Sequence, residues 1–131
     1  MSNVVDINEE FPHKSALVTG GSGFVGSHMC DALVKAGVRT ISIDDYIAGK
    51  SENLAHLREY DNFSEVSCDI TNMDALSSLI EDIDVIFHQA ASKKTVCLRD
   101  PRRDLQVNGG GTFNLLELAR DRGVKKFVHL P

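Results

Sequence analysis

The feature that most restricts this chain is Thr19-Gly20-Gly21-Ser22-Gly23-Phe24-Val25-Gly26, with glycines at 20, 23 and 26. Alone, such a spacing says little, because glycine-rich turns are common. Here the apolar run Ala16-Leu17-Val18 leads into it and a helical pattern leaves it. A buried strand, a glycine turn and a helix, in that order, make the dinucleotide-binding fingerprint. In that reading Gly20 permits the tight turn, Gly23 lets the backbone approach a pyrophosphate, and Gly26 lets the helix pack near the strand. The first helical turn then offers N–H groups and a positive dipole end to phosphate oxygens. No Gly-Lys-Ser/Thr ending follows, which disfavours a triphosphate P-loop. The alternative is a purely structural strand-to-helix turn.

Beyond the turn, short apolar runs alternate with amphipathic segments. The spacing predicts a first helix from Phe24, with Val25, Met29, Ala32, Leu33 and Ala36 on its apolar face and Gly37 as its stop. Thr40-Ile41-Ser42-Ile43 reads as a second strand ending at Asp44-Asp45, and Asn53 to Leu57 as a short helix in an otherwise undecided stretch. Phe63 to Cys68 suits a third strand. A helix capped by Thr71 follows, with Met73, Leu76, Leu79 and Ile80 as its stripe. Val85-Ile86-Phe87 is a fourth strand. A long segment from Pro101 to Arg122 follows, expected to be interrupted at Gly109-Gly110-Gly111 and to carry Phe113, Leu116 and Ala119. Phe127 to Leu130 supplies a fifth strand. Helical crossovers imply parallel pairing and a right-handed, doubly wound α/β sheet of Rossmann type, with helices on both faces and order 3-2-1-4-5. Residues 1–14 read as a loosely attached extension, and 15–131 as the binding domain.

Asp44 stands at the tip of the second strand, about 20 residues past the turn, where a carboxylate can accept both hydroxyls of an adenosine ribose. The same charge repels a 2′-phosphate and so favours NAD over NADP. Asp45 is adjacent and could take either role; a solvated turn aspartate is the alternative. Composition narrows the partners. In 131 residues, 14 Lys+Arg face 19 Asp+Glu, a net charge of −5, which argues against a nucleic-acid surface. The basic pairs Lys93–Lys94, Arg102–Arg103 and Lys125–Lys126 read as solvated faces. Cys30, Cys68 and Cys97 show no metal spacing and read as inert thiols. Neither a signal peptide nor an apolar stretch of roughly 18–20 residues is present. A soluble, cytoplasmic chain with no membrane partner is the expectation.

Several short motifs also occur in a familiar order. Thr19 to Gly26 resembles a TGxxGxxG turn, Asp44-Asp45 an acidic ribose site, and Cys68-Asp69-Ile70 a GDI element. His88-Gln89-Ala90-Ala91 resembles HxAA, Asn108 to Leu116 resembles NxxGTxNLL, and Val124 to Val128 resembles GVKRFV. Together they resemble the extended short-chain dehydrogenase/reductase family, the NAD-dependent epimerase/dehydratases acting on nucleotide sugars, over about residues 15–130. The resemblance implies NAD as cofactor, with Gly20, Gly23, Phe24 and Val25 around the pyrophosphate and Gly26 behind them. Asp44 would hold the ribose, Asp69 and Ile70 would flank the adenine, and Ala90 and Ala91 would back the second ribose. Lys93 matches a cofactor-contacting lysine, and Asn108 would brace the central strands. His88 reads as a satisfied buried histidine.

The family's catalytic Ser/Thr and Tyr-x-x-x-Lys follow the fifth strand, and this chain ends before them at Leu130-Pro131. Tyr46-Ile47-Ala48-Gly49-Lys50 spells the same pattern, but it lies after the second strand, near the adenosine end. Gly49 also weakens the helical turn that would join Tyr46 to Lys50. The expectation is therefore an NAD-binding portion of a nucleotide-sugar epimerase or dehydratase, without turnover alone. A non-catalytic NAD-sensing or protein-binding module, or a reductase of a non-sugar carbonyl, are the alternatives. Phe127 and Val128 on an exposed fifth strand suggest a homodimer or edge-to-edge association.

Overall fold

The computed structural model describes residues 11–90 and 98–129. Five parallel strands form one sheet in the order β3-β2-β1-β4-β5, as expected. They are β1 (Ser15–Thr19), β2 (Arg39–Asp44), β3 (Phe63–Ser67), β4 (Val85–His88) and β5 (Lys126–His129). All five residues of β1 are buried, as a central strand covered on both faces requires. Its alternate side chains feed two cores. Ala16 and Val18 pack with Cys30, Leu33 and Val34 of α1 (Phe24–Lys35), and with Leu54 and Leu57 of a 3-10 helix (Ser51–Leu57). Leu17, with Ile43 and Ile86, packs on the other face against Leu76 of α2 (Met73–Leu79), Ile80, and Leu115 and Leu118 of α4 (Thr112–Asp121).

Several local expectations need correction. Of the expected stripe of α1, Leu33 and Ala36 are buried and Met29 packs on the core, whereas Val25 is 51% exposed and Ala32 is also outside; Gly26, Cys30 and Val34 complete the inner face. That face is set by Gly26, the residue that must face the turn. Asn72, not Thr71, caps α2, accepting from the Ala75 N–H at 3.1 Å. The glycines at 109–111 interrupt the α-helical pattern without ending the helix. Helical dihedrals run from α3 (Pro101–Leu105) through a π-helical stretch, Gln106–Gly111, into α4. A Cβ on Gly111 would lie 2.4 Å from Ile70 Cδ1, so the helix rides closer to the β3–α2 connection than any other residue would allow. Leu115, Leu118 and Ala119 form its inner stripe, leaving Phe113 64% and Leu116 47% exposed.

Candidate functional site

A cleft opens at the carboxyl ends of β1 to β4, over the point where the chain order reverses between β1 and β4. Gly20 and Gly23 form its floor. Gly20 adopts φ +67°, and a Cβ there would sit 3.0 Å from the Ala90 nitrogen, so both conformation and space call for glycine. A Cβ on Gly26 would come within 2.2 Å of the Gly20 carbonyl oxygen, which makes Gly26 the residue that seats α1 against the turn. Gly23 caps α1 with extended backbone, no side chain caps that end, and its first turn holds no acidic residue. The positive end of the dipole is thus left for an external anion.

Asp44 is 92% buried at the tip of β2 and lines the cleft. Its Oδ2 accepts from the Ser22 N–H at 3.1 Å and the Ser22 hydroxyl at 2.5 Å; Oδ1 accepts from the Tyr46 N–H at 2.9 Å. Three of roughly four acceptor positions are taken, leaving one for a ligand. Ser22, which nothing in the motif singles out, is also held through its carbonyl by the Lys50 N–H at 3.1 Å and the Asn53 amide at 2.9 Å. It joins the glycine turn to β2 and to the 3-10 helix. Asp45 lines the cleft too, but its Oδ1 accepts from the Ile47 N–H at 3.0 Å.

The far end of the cleft is made by Asp69, Ile70 and Val107. Asp69 Oδ1 accepts from the Thr71 N–H (2.9 Å) and hydroxyl (2.8 Å), while Oδ2 accepts from Arg103 of α3 at 2.7 Å. Against the cost of partial burial, the Thr71 N–H and the Arg103 guanidinium hold the Asp69 carboxyl below the usual carboxylate range. Asn114 donates to the Ile70 carbonyl at 3.1 Å and so pins this wall to α4. Cys68 lies beside it, its thiol pushed up by burial and by Asp69, which keeps it a poor nucleophile. Cys30, on the buried face of α1, is pushed up to about 12 by burial.

Ala90 lines the β4 side of the cleft, whereas Ala91, Lys93 and Cys97 lie outside the described residues. Phe24 and Val25 are exposed at the start of α1. The Asn108 side chain is exposed and donates to Asp104 at 2.9 Å, and a further link runs from this residue to the central strands. The link is its carbonyl. Thr19 Oγ1 accepts from the Gln89 and Ala90 N–H groups, each at 3.0 Å, so its own proton goes to His88 Nδ1 at 2.7 Å. That assigns the ring proton to Nε2, which donates to Thr112 Oγ1 at 2.7 Å, and Thr112 donates to the Asn108 carbonyl at 2.7 Å. Burial, with the stacked His129 ring adding to it, pulls His88 down to about 4. His88 is a neutral structural link between β1, β4 and α4.

Tyr46 is no catalytic phenol. Its hydroxyl faces Glu65 at 3.3 Å, and burial followed by that carboxylate pushes the phenol above its ordinary value, opposite to what a phenolate base needs.

The family model described as NAD dependent epimerase/dehydratase matches residues 16–131. This chain belongs to that family. The family member it resembles in Mycolicibacterium smegmatis, a UDP-glucose 4-epimerase, is 42% identical over 117 residues, 86% of this chain and 37% of that protein. UDP-glucuronic acid decarboxylase 1 of Arabidopsis thaliana is 36% identical over 110 residues, 83% of this chain and 24% of that protein. Among solved structures, the UDP-glucose 4-epimerase of Thermus thermophilus in complex with NAD superposes with a TM-score of 0.75 at 32% identity, covering 86% of this chain and 36% of that one. The chain therefore spans about a third, or less, of the length of these epimerase/dehydratase relatives. Among the described residues no helix is long and apolar enough to cross a membrane.

Proposed function

We propose that this chain is the cofactor-binding portion of an NAD-dependent nucleotide-sugar epimerase or dehydratase, and that it binds NAD without turnover by its own residues. The observation that carries the reading is the buried Asp44 carboxylate facing the same cleft as the uncapped, acid-free start of α1. One end keeps a carboxylate acceptor for one ribose hydroxyl, where the sequence suggested both, and the other suits a diphosphate; they are joined through Ser22. The first turn of α1, with Phe24 and Val25, holds the pyrophosphate; Asp44, with Asp45 beside it, holds the adenosine ribose and excludes a 2′-phosphate. Asp69 uses its one remaining acceptor position for the adenine amino group, and Ile70 and Val107 flank the ring. Ala90, with Ala91 and Lys93 after it, backs the second ribose. When bound, NAD supplies hydride acceptance and return at a sugar carbon. The proton-transferring tyrosine and lysine implied by the family pattern have no counterpart here, since Tyr46 is turned to Glu65.

Calorimetry tests the reading. The chain should bind NAD and prefer it to NADP. Asp44→Ala should weaken NAD binding about 10- to 100-fold, the worth of a hydrogen bond to a charged group, and narrow the preference over NADP. Unaltered affinity in a folded variant removes Asp44 from the site.

A further inference from the structure

We infer that Gln89 is a further cofactor-contacting residue, its side-chain amide donating to an oxygen of the bound dinucleotide's pyrophosphate or of the ribose beyond it. This rests on the cofactor reading above and adds a side-chain donor on the β4 side of the cleft.

The backbone N–H of Gln89 is already committed. Its N–H donates to the Thr19 hydroxyl at 3.0 Å and lies 3.2 Å from the Thr19 carbonyl oxygen. His88 is in register with Thr19, so Gln89 stands level with Gly20, and a Cβ on Gly20 would lie 3.2 Å from the Gln89 carbonyl carbon. Gln89 lines the same cleft as Gly20, Gly23 and Ala90. Its side-chain nitrogen is nevertheless buried with no hydrogen-bond partner. Native interiors rarely leave a two-proton donor unanswered, and because Gln89 also lines the cleft, a turn of its side chain would bring this amide to an acceptor bound there. The other such atom among the described residues, Ser42 Oγ, is different: it lies under Gly21 against the Cys30 thiol and does not line the cleft. A dinucleotide crossing from the β1 side to the β4 side brings phosphoryl and ribosyl oxygens past Gln89. A neutral amide can donate to either without adding charge or taking part in proton transfer.

The experiment pairs apo-protein stability with affinity, using Gln89→Met and Gln89→Glu and titrating each with NAD and with ADP. Methionine removes the unanswered donor while keeping the length. The apo midpoint should rise by about 2–6 °C while NAD affinity falls about tenfold. Glutamate replaces a donor by a charged acceptor and should cost more affinity. A matching loss for ADP assigns the contact to the pyrophosphate; a loss confined to NAD assigns it to the second ribose. NAD affinity unchanged within about twofold in both variants overturns the inference, as does a methionine variant less stable than the parent, which marks the amide as an ordinary structural bond. Failure of the unmodified chain to bind NAD is a separate result, and it overturns the cofactor reading itself.

Discussion

At Gly26 a single hydrogen decides whether the turn and α1 can meet. A methyl there would press within 2.2 Å of the Gly20 carbonyl oxygen, a backbone atom that cannot swing aside. Gly26→Ala should therefore destabilise the chain by about 2–3 kcal/mol despite alanine's better helix propensity, as read from urea unfolding. Residues of this kind were legible in the sequence, because tight turns and close backbone approaches admit one side chain only. Asp44 was legible for a related reason: a carboxylate at that strand tip has a narrow range of uses. Ser22, Gln89, Arg103 and Asn114 were not, since serine, glutamine, arginine and asparagine occur everywhere and act here through contacts between segments distant in sequence. Arg103 and Asp69, for example, are 34 positions apart. The motif reading marked Asn108 without showing which atom acts; its carbonyl accepts from Thr112, which carries the contact on to His88.

Among the elements, β1, β4 and the α3–α4 helix are joined through the neutral His88 ring. In the folded chain that ring stays unprotonated down to about 4, while an unfolded histidine takes its proton near 6.5. Between those values the unfolded chain binds the extra proton. Stability is thus complete above about pH 6.5 and declines as pH falls toward 4, by up to about 3 kcal/mol. Urea midpoints across pH 4–7 should trace this slope, and a His88→Gln variant should flatten it. Depressed carboxylates such as Asp69 contribute only below that window. Element types and order followed from apolar periodicity, but two details did not. The inward place of Gly26, Cys30 and Val34 on α1 answers to the turn that Gly26 faces, and the chain stays helical, as a π-helical stretch, through residues 109–111 although three glycines disfavour it by about 1 kcal/mol each. Packing of Gly111 on Ile70, with Leu115 and Leu118 on the sheet, outweighs that propensity.

For the molecule as a whole, the strand order was readable because right-handed crossovers leave few alternatives. Less readable was the outer surface, where Phe113, Leu116 and the free side of β5 remain open. Among the described residues β5 pairs only with β4, and it carries the half-buried Phe127 and Val128. Expressed as this polypeptide, the chain should self-associate with rising concentration in size-exclusion chromatography, and replacing Val128 by lysine should shift it toward monomer. A species that stays monomeric at high concentration would remove that edge as a contact. A different outcome follows from Ser22, already tied to β2 and to the 3-10 helix before any ligand arrives. On the proposed reading, the cradle for the diphosphate is already hydrogen-bonded in place, so a visiting nucleotide would meet its final shape at first encounter, with little of the interaction consumed in ordering the loop.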